Sequence, residues 1–596
     1  MRIGSFAGAA VAGLVIVFTA ASSGATNRNP PPRLLVPAQR ANRILDPRSA
    51  RRRPLSVVTP TGCNSDYGTA SFYFVGVQDA NFAGAMDSAV VGGVSNEACA
   101  LQSAIGGGQA NIISGANSAD AAENSFIGGG QADAITGSNA FVGSGFNNES
   151  SGSYSFEGAG AWNFAGGNGS FVGGGGYKWD LGLDNAAYGT DSFVGGGDLN
   201  QISSTGNGSF IGGGGYTYAS APTQTPPVNN QISGVDSFIG AGDQNAVNAN
   251  YGVIGGGYSN TISSAAGYSV IVAGNDNQAT AQKAFVGAGG ANQATGAGSF
   301  VGAGFFDKAQ GPGSFVGGGG SLFAGSSVAG MDSFVGAGDQ NTVSGTEAFV
   351  GGGQSNSIGG AAAEAVVGGG LYNNALGAAS VVGGGAYSSA RGAYATIPGG
   401  YKNAADGTGS FAAGSYAKAR NNGAFVWSDN SSSSPVQSTA NYQFVARASG
   451  GYTFYTNATG SGAQLPQNSG SWGSLSDRTM KTDVVPLDDV EVLDKVAALP
   501  VSEWSYRSER GVRHVGPMAQ DFYAAFGVGE DNRHITSIDE DGVALAAIKA
   551  LHAENARLHA ENVRLSNKFE ADNARLRSRL AVLEAKLDLL ASRAAR

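Results

Sequence analysis

Ser314-Phe315-Val316-Gly317-Gly318-Gly319 is one copy of a block that recurs through most of this 596-residue chain. Its second position falls at Phe126, Phe141, Phe156 and Phe171, each 15 residues from the last, and returns at Phe285, Phe300 and Phe315. The step lengthens where loops are inserted, as between Tyr216 and Asn230, and the position passes through Val366, Val381 and Thr396 to Phe411 and Phe425. A second short apolar alternation follows many blocks, as in Asn200-Gln201-Ile202-Ser203. Two short strands and two glycine turns per 15 residues describe one coil of a parallel β-roll or solenoid. With ~4.8 Å between strands, about twenty coils would give a rod on the order of 100 Å long. A phenylalanine in every coil is too bulky for so thin a roll to hide. The stripe is therefore expected to be shared between chains of an oligomeric rod, the other reading being a wider, self-sufficient solenoid.

Composition narrows the function classes. The 98 glycines are about twice the ordinary share, while charged residues are only 13%. Residues 1–60 hold nine basic and one acidic residue, 61–475 eight and 23, and 476–596 17 and 20. An acidic body speaks against nucleic acid as a partner, because phosphate recognition needs clustered Lys and Arg. All four histidines fall after residue 476 and both cysteines before it, so the array holds no His/Cys metal site and no histidine-based triad. No metal or cofactor is expected. Cys63 and Cys99 can pair or stand free. Collagen is excluded because glycine is not at every third position, calcium-binding nonapeptides because GGxGxD does not recur, and a P-loop because GxxxxGK[ST] is absent.

Residues 1–25 read as a secretory signal peptide: Arg2, an apolar run from Phe6 to Ala21, and the small residues Ser23-Gly24-Ala25. The run is short for a membrane span. Residues 26–60, rich in proline and arginine, read as an extended disordered linker. The expected locations are thus the secreted space or the bacterial cell surface. The array takes 61–430, and a β-rich connector takes 431–475. Within it residues 441–457 alternate like a β-hairpin turning at Gly450-Gly451.

Blocks such as Gly409-Ser410-Phe411-Ala412-Ala413-Gly414-Ser415-Tyr416-Ala417-Lys418-Ala419 resemble the head repeats of trimeric autotransporter adhesins across roughly residues 85–430. The resemblance implies a trimer of parallel β-rolls. The chain departs from that family in its triple glycine and in ending on a charged helix without terminal β-barrel strands.

Composition changes abruptly at Ser476-Asp477-Arg478-Thr479-Met480-Lys481. Beyond it, Leu487–Leu499 reads as a helix stopped by Pro500, Val501–Tyr506, Val512–Val515 and Ile535–Ile538 as strands, and Ala519–Phe526 as a helix. Asp541 is expected to cap the last helix. That helix carries Leu551, Leu558 and Leu565 at heptad spacing with Asn555 and Asn562 at the alternate core position, then Leu576, Leu580, Leu583, Leu587 and Leu590. A parallel coiled coil over 546–592 is expected, with a stutter between Leu565 and Leu576.

The order Ser-Asp-x-x-x-Lys, His514-Val515-Gly516-Pro517-Met518-Ala519-Gln520, Asp541-Gly542-Val543-Ala544-Leu545 and a coiled coil resembles the intramolecular chaperone, auto-processing domain of phage endosialidase tailspikes, over about residues 475–596. The resemblance implies a domain, 476–545 ahead of the coil, that trimerises a fibre and then cuts itself off. It makes Ser476 the nucleophile, Lys481 the base, and the Leu475–Ser476 peptide the cut. The residue types suit the task, since a serine hydroxyl needs a base and a lysine serves as one only when desolvated. Spacing by itself favours Ser476 as a helix cap and Lys481 as a surface charge, and it is the surrounding resemblance that reverses this.

The fold class expected is mainly β: a glycine-rich parallel β-roll or solenoid, trimeric, then a small α/β chaperone domain and a coiled coil. The function expected is a secreted or surface fibre, adhesin-like, that recognises a cell-surface glycan or protein receptor and frees its chaperone by autoproteolysis. The alternative is a purely structural adhesin with an uncut stalk. A polysaccharide-degrading fibre is disfavoured because no carboxylate pair stands out.

Overall fold

The structure is a computed structural model and describes residues 81–114, 121–176, 185–215, 229–321, 324–458 and 462–595. The signal-peptide and linker segments, Cys63 and nearly all of the Tyr216–Asn230 insertion lie outside these residues. The chain divides into two units, Met1–Ser264 and Ala265–Arg596. Both are built on the same parallel β-solenoid coil, which is repeated about 22 times in the chain.

Each coil places one two-residue strand in each of two parallel ladders. In the first unit Phe156–Glu157 lies between Phe141–Val142 and Phe171–Val172, and Gln201–Ile202 between Ala186–Ala187 and Gln231–Ile232. The second unit repeats this with Phe300–Val301 between Phe285–Val286 and Phe315–Val316, and Gln293–Ala294 between Gln278–Ala279 and Lys308–Ala309. Because side chains alternate along a strand, the first residue faces out and the second faces in. Val172, Ile202, Ile211 and Val301 are accordingly fully buried, so the core of a coil is two facing rows of Val, Ile and Ala. Glycine closes the corner. At Gly353 φ is +92°, and a Cβ there would lie 2.2 Å from the carbonyl oxygen of Gly370 in the next coil.

Asparagine braces the same corner: a Cβ on Gly242 would lie 2.7 Å from Asn245 Nδ2. Asn245 is wholly buried; its amide donates to Asn230 Oδ1 at 3.0 Å and to the Gly257 carbonyl at 2.9 Å, while its Oδ1 accepts from the backbone N–H of Asn260 at 3.1 Å. One side chain thus supplies an acceptor to the buried Asn260 N–H and a second donor to the Gly257 carbonyl, which also accepts from the Asp243 N–H, tying successive coils together.

The phenylalanines stack on the outside of the roll. Rings of Phe171, Phe193 and Phe210 are 4.6 and 4.7 Å apart with planes within 4° of parallel, and Phe285, Phe300 and Phe315 repeat this at 4.8 and 4.7 Å. They are only half-buried. The thin roll does not hide them, as their bulk requires.

The ladders of the second unit run on to Phe444–Arg447, which pairs parallel with Phe425–Ser428. This corrects the hairpin expected over 441–457. Phe444 stacks on Phe425, centroids 5.0 Å apart, so ladder register overrides the local Gly450-Gly451 turn signal. The hairpin partner of Gly451–Tyr455 is instead Gly462–Pro466, which carries Gly473–Ser474 on its other edge. Arg447 gathers the last turn. Its guanidinium donates to Asp429 Oδ1 at 3.0 Å, Ser428 Oγ at 2.8 Å and the carbonyls of Ser432 and Ser434, both at 2.8 Å. The Tyr452 hydroxyl donates to the Ala446 carbonyl.

Beyond residue 476 come α1 (Asp489–Ala498), the antiparallel pair Val501–Trp504 and His514–Pro517, α2 (Ala519–Phe526) and α3 (Ser537–Ala594). Asp488 caps α1 by accepting from the N–H of Val490 and Glu491. The helix α1 packs on the start of α3 through Val492, Ala546 and Ala547, with an Asp489–Lys549 ion pair beside them. Two expectations fail here. Ile535–Ile538 is not a strand, and Asp541 is not the cap, because α3 begins at Ser537 with Thr536 as its cap. Thr536 and Asp539 form a side-chain box, the Thr536 hydroxyl donating to Asp539 Oδ2 at 2.7 Å and accepting from the Asp539 N–H at 3.3 Å. Cys99 is disulfide-bonded. No helix among the described residues is long and apolar enough to cross a membrane.

Candidate active site

The strand Gly473–Ser474, hydrogen-bonded along Gly462–Pro466, ends one residue before Leu475. Leu475 borders a cavity of about 50 Å³ that Thr453, Tyr455, Gly462, Gln464 and Gly473 also line. Ser476 follows, then a single 3-10 turn, Arg478–Met480.

The turn is set by Asp477. Its Oδ1 accepts from both the backbone N–H and the hydroxyl of Thr479, each at 2.8 Å. These two donors hold the Asp477 carboxyl below the usual carboxylate range, the backbone N–H first and the hydroxyl second. Asp477, not Ser476, is therefore the cap, and the serine hydroxyl is left for another partner. The turn closes as the Lys481 N–H donates to the Arg478 carbonyl, and extended backbone at Lys481 sends its side chain back over the turn. Lys481 Nζ donates to Ser476 Oγ at 2.7 Å. The two residues singled out in the sequence are thus in direct contact, with Leu475 immediately before them.

Both side chains are exposed. An ammonium donating to a hydroxyl leaves the serine unactivated, whereas a neutral amine would accept the Oγ–H proton and free the nucleophile. Inverting this hydrogen bond requires that water be removed from the lysine, since desolvation disfavours the charged form. Thr479, for which the sequence suggests no role, holds Asp477 and with it the turn between the two residues. Its signal is an Asp two residues upstream at the start of a turn, an Asx motif.

His514 faces Trp504 across the strand pair, their rings 4.8 Å apart, with Tyr506 edge-on to both. Its Nε2 lies 3.5 Å from Glu509 Oε2. Among the described residues no group of three or more His, Cys, Asp or Glu is placed to hold a metal ion.

Residues 476–528 match the model of a peptidase family described as the chaperone of endosialidase. The match begins at Ser476, takes in the turn, α1, the strand pair and α2, and ends before α3. No curated protein matches the chain. A β-solenoid ahead of a segment similar to that intramolecular chaperone points to a tail-fibre-like protein, and the matched family implies an autoprocessing peptidase role.

Proposed function

We propose that the chain is a subunit of a homotrimeric extracellular fibre whose residues 476–596 drive assembly and then leave by a single self-inflicted cut between Leu475 and Ser476. The observation that carries this is the 2.7 Å contact between Lys481 Nζ and Ser476 Oγ at the first residue of the family match. In this reading assembly dehydrates Lys481, whose neutral amine then takes the proton of Ser476 Oγ. The alkoxide attacks the Leu475 carbonyl carbon, and the peptide C–N bond breaks as the proton passes to the departing Ser476 nitrogen. The result is an ester between Leu475 and Ser476 Oγ. Water hydrolyses that ester, leaving a Leu475 carboxylate on the fibre and a fragment that begins with Ser476. Each chain performs one turnover on itself.

Trimerisation is supported by two unpartnered features. Leu551, Leu558, Leu565, Leu576, Leu580, Leu583, Leu587 and Leu590 are all exposed along α3, and the outer phenylalanine stack stands half in water. Export and recognition of a cell-surface glycan or protein receptor complete the reading, on the strength of the amino-terminal sequence and the repetitive outer face.

The test is a denaturing gel of assembled protein. Wild type should give two bands, the smaller with Ser476 at its amino terminus, while Ser476→Ala and Lys481→Ala should each stay full length. Continued cutting in either variant would remove the catalytic assignment. An uncut wild type of proven assembly would leave a structural fibre with a permanent stalk.

A further inference from the structure

The column of buried corner asparagines is interrupted by carboxylic acids. Asp133 stands between Asn111 and Asn148, and Asp307 between Asn292 and Ser326. Both are wholly buried. One oxygen of each does what an asparagine carbonyl does. Asp133 Oδ1 accepts from the backbone N–H and amide of Asn148 at 2.9 and 3.0 Å, and Asp307 Oδ1 accepts from the Ser326 N–H at 2.7 Å. The other oxygen, Oδ2, is buried without a hydrogen-bond partner in both.

The glycine corners locate that oxygen. A Cβ built on Gly145 would lie 2.3 Å from Asn148 Nδ2 and 2.1 Å from the Gly160 carbonyl oxygen, which that amide contacts. The equivalent point on Gly130 lies 2.2 Å from Asp133 Oδ2 and 2.6 Å from the Gly145 carbonyl oxygen. On Gly304 it lies 2.3 Å from Asp307 Oδ2 and 2.2 Å from the Gly319 carbonyl oxygen. Each Oδ2 therefore occupies the seat of an asparagine NH₂ and faces the carbonyl to which NH₂ would donate. Two acceptors facing one another away from water repel unless a proton lies between them.

We infer that Asp133 and Asp307 are carried as neutral acids whose Oδ2–H stands in for the asparagine amide, so that their two coils tighten in acid and loosen when the proton leaves. Burial pushes both carboxyls up to about 6, against the opposing pull of the N–H groups they accept from. Of the neighbouring charges, Asp339 raises Asp307 further, and Asp133 and Glu149 both raise the buried Glu157. Glu157, itself raised well above the usual range by burial, spends one oxygen on the Ala165 N–H at 2.6 Å. The cation next to Asp307 is Lys308, at the outward position of its strand. Because the folded-state value is raised, the stabilisation is complete below the ordinary carboxylate range near 3.8 and is lost as pH climbs through about 6.

Hydrogen exchange on the full chain tests this, with peptides covering 126–165 and 300–335 read at pH 5 and pH 7.5 after correction for intrinsic rates. Asparagine is what most of the other coils carry, Ser326 and Ser388 being exceptions, so Asp133→Asn and Asp307→Asn should fold. Protection in each variant, divided by that of wild type, should be about tenfold larger at pH 7.5 than at pH 5 in the peptide containing the substitution. A ratio that is the same at both pH values, in either peptide, overturns the inference for that residue.

Discussion

Asn245 shows what a single side chain does in this fold: one amide is the corner of its own coil and a brace for both neighbours. Asn245→Ala would take from the Asn260 N–H its acceptor on Asn245 and leave Asn230 Oδ1 and the Gly257 carbonyl with only the Asn245 and Asp243 backbone N–H groups, and a loss of roughly 1–3 kcal/mol is expected in hydrogen-exchange protection of the coils around it. The sequence exhibits these asparagines at a fixed place in the repeat, yet residue type alone argues for an exposed loop, because buried asparagine is uncommon. Only the stacked geometry reveals that each is paid back in hydrogen bonds. The contact between Ser476 and Lys481 follows an expectation that the family resemblance carried and spacing alone did not, whereas the contact of Thr479 with Asp477 had no signal in that reading. Thr479→Val should therefore slow self-cutting by about tenfold or more while leaving assembly unchanged, as measured by gel time course beside sedimentation. The pH dependence of that turn has a definite sign. The depressed Asp477 carboxyl stabilises it above the ordinary carboxylate range and ceases to do so as pH falls through its lowered folded-state value. Cutting by preassembled protein should fall off in acid accordingly, and less steeply in Asp477→Asn.

Among elements, the outer phenylalanine stack and α3 make the same demand by different geometry. Each is a long apolar stripe that one chain leaves open. Phe300 touches rings above and below at 4.8 and 4.7 Å. Losing both stacks in Phe300→Ala should lower stability by about 1–3 kcal/mol in an isolated chain, and by about 3–5 kcal/mol if the ring is enclosed between chains. Denaturant titration of the assembled fibre is expected to give the larger figure. On α3, Leu558→Asp should prevent trimer formation in ultracentrifugation and abolish cutting although Ser476 and Lys481 are untouched, because dehydration of the lysine depends on assembly. The two-strand coil was legible because its period is short and glycine marks each corner. Element ends were not. Phe444 reads locally as one arm of a hairpin, but a ladder partner 19 residues earlier decides its pairing. The start of α3 was placed at Asp541 because the Thr536–Asp539 box lies among residues that also suit a strand.

For the whole molecule, charge and chemistry are partitioned as the reading requires. Residues 61–475 are acidic and carry no histidine, while Ser476, Lys481 and all four histidines belong to the part that is proposed to depart. Mass spectrometry of mature fibre should find chains ending at Leu475. What remains must then manage an open end, for a parallel ladder stops at Phe444–Arg447 and its last strand has no successor. Unpaired strand edges invite foreign strands. Here the Ala446 carbonyl is already occupied by the Tyr452 hydroxyl, and Arg447 lashes the adjoining loop down at five oxygens. Every group in that stopper lies upstream of Leu475, so discarding the assembly machinery does not uncork the shaft. Finished filaments should consequently stay separate in solution instead of welding tip to tip.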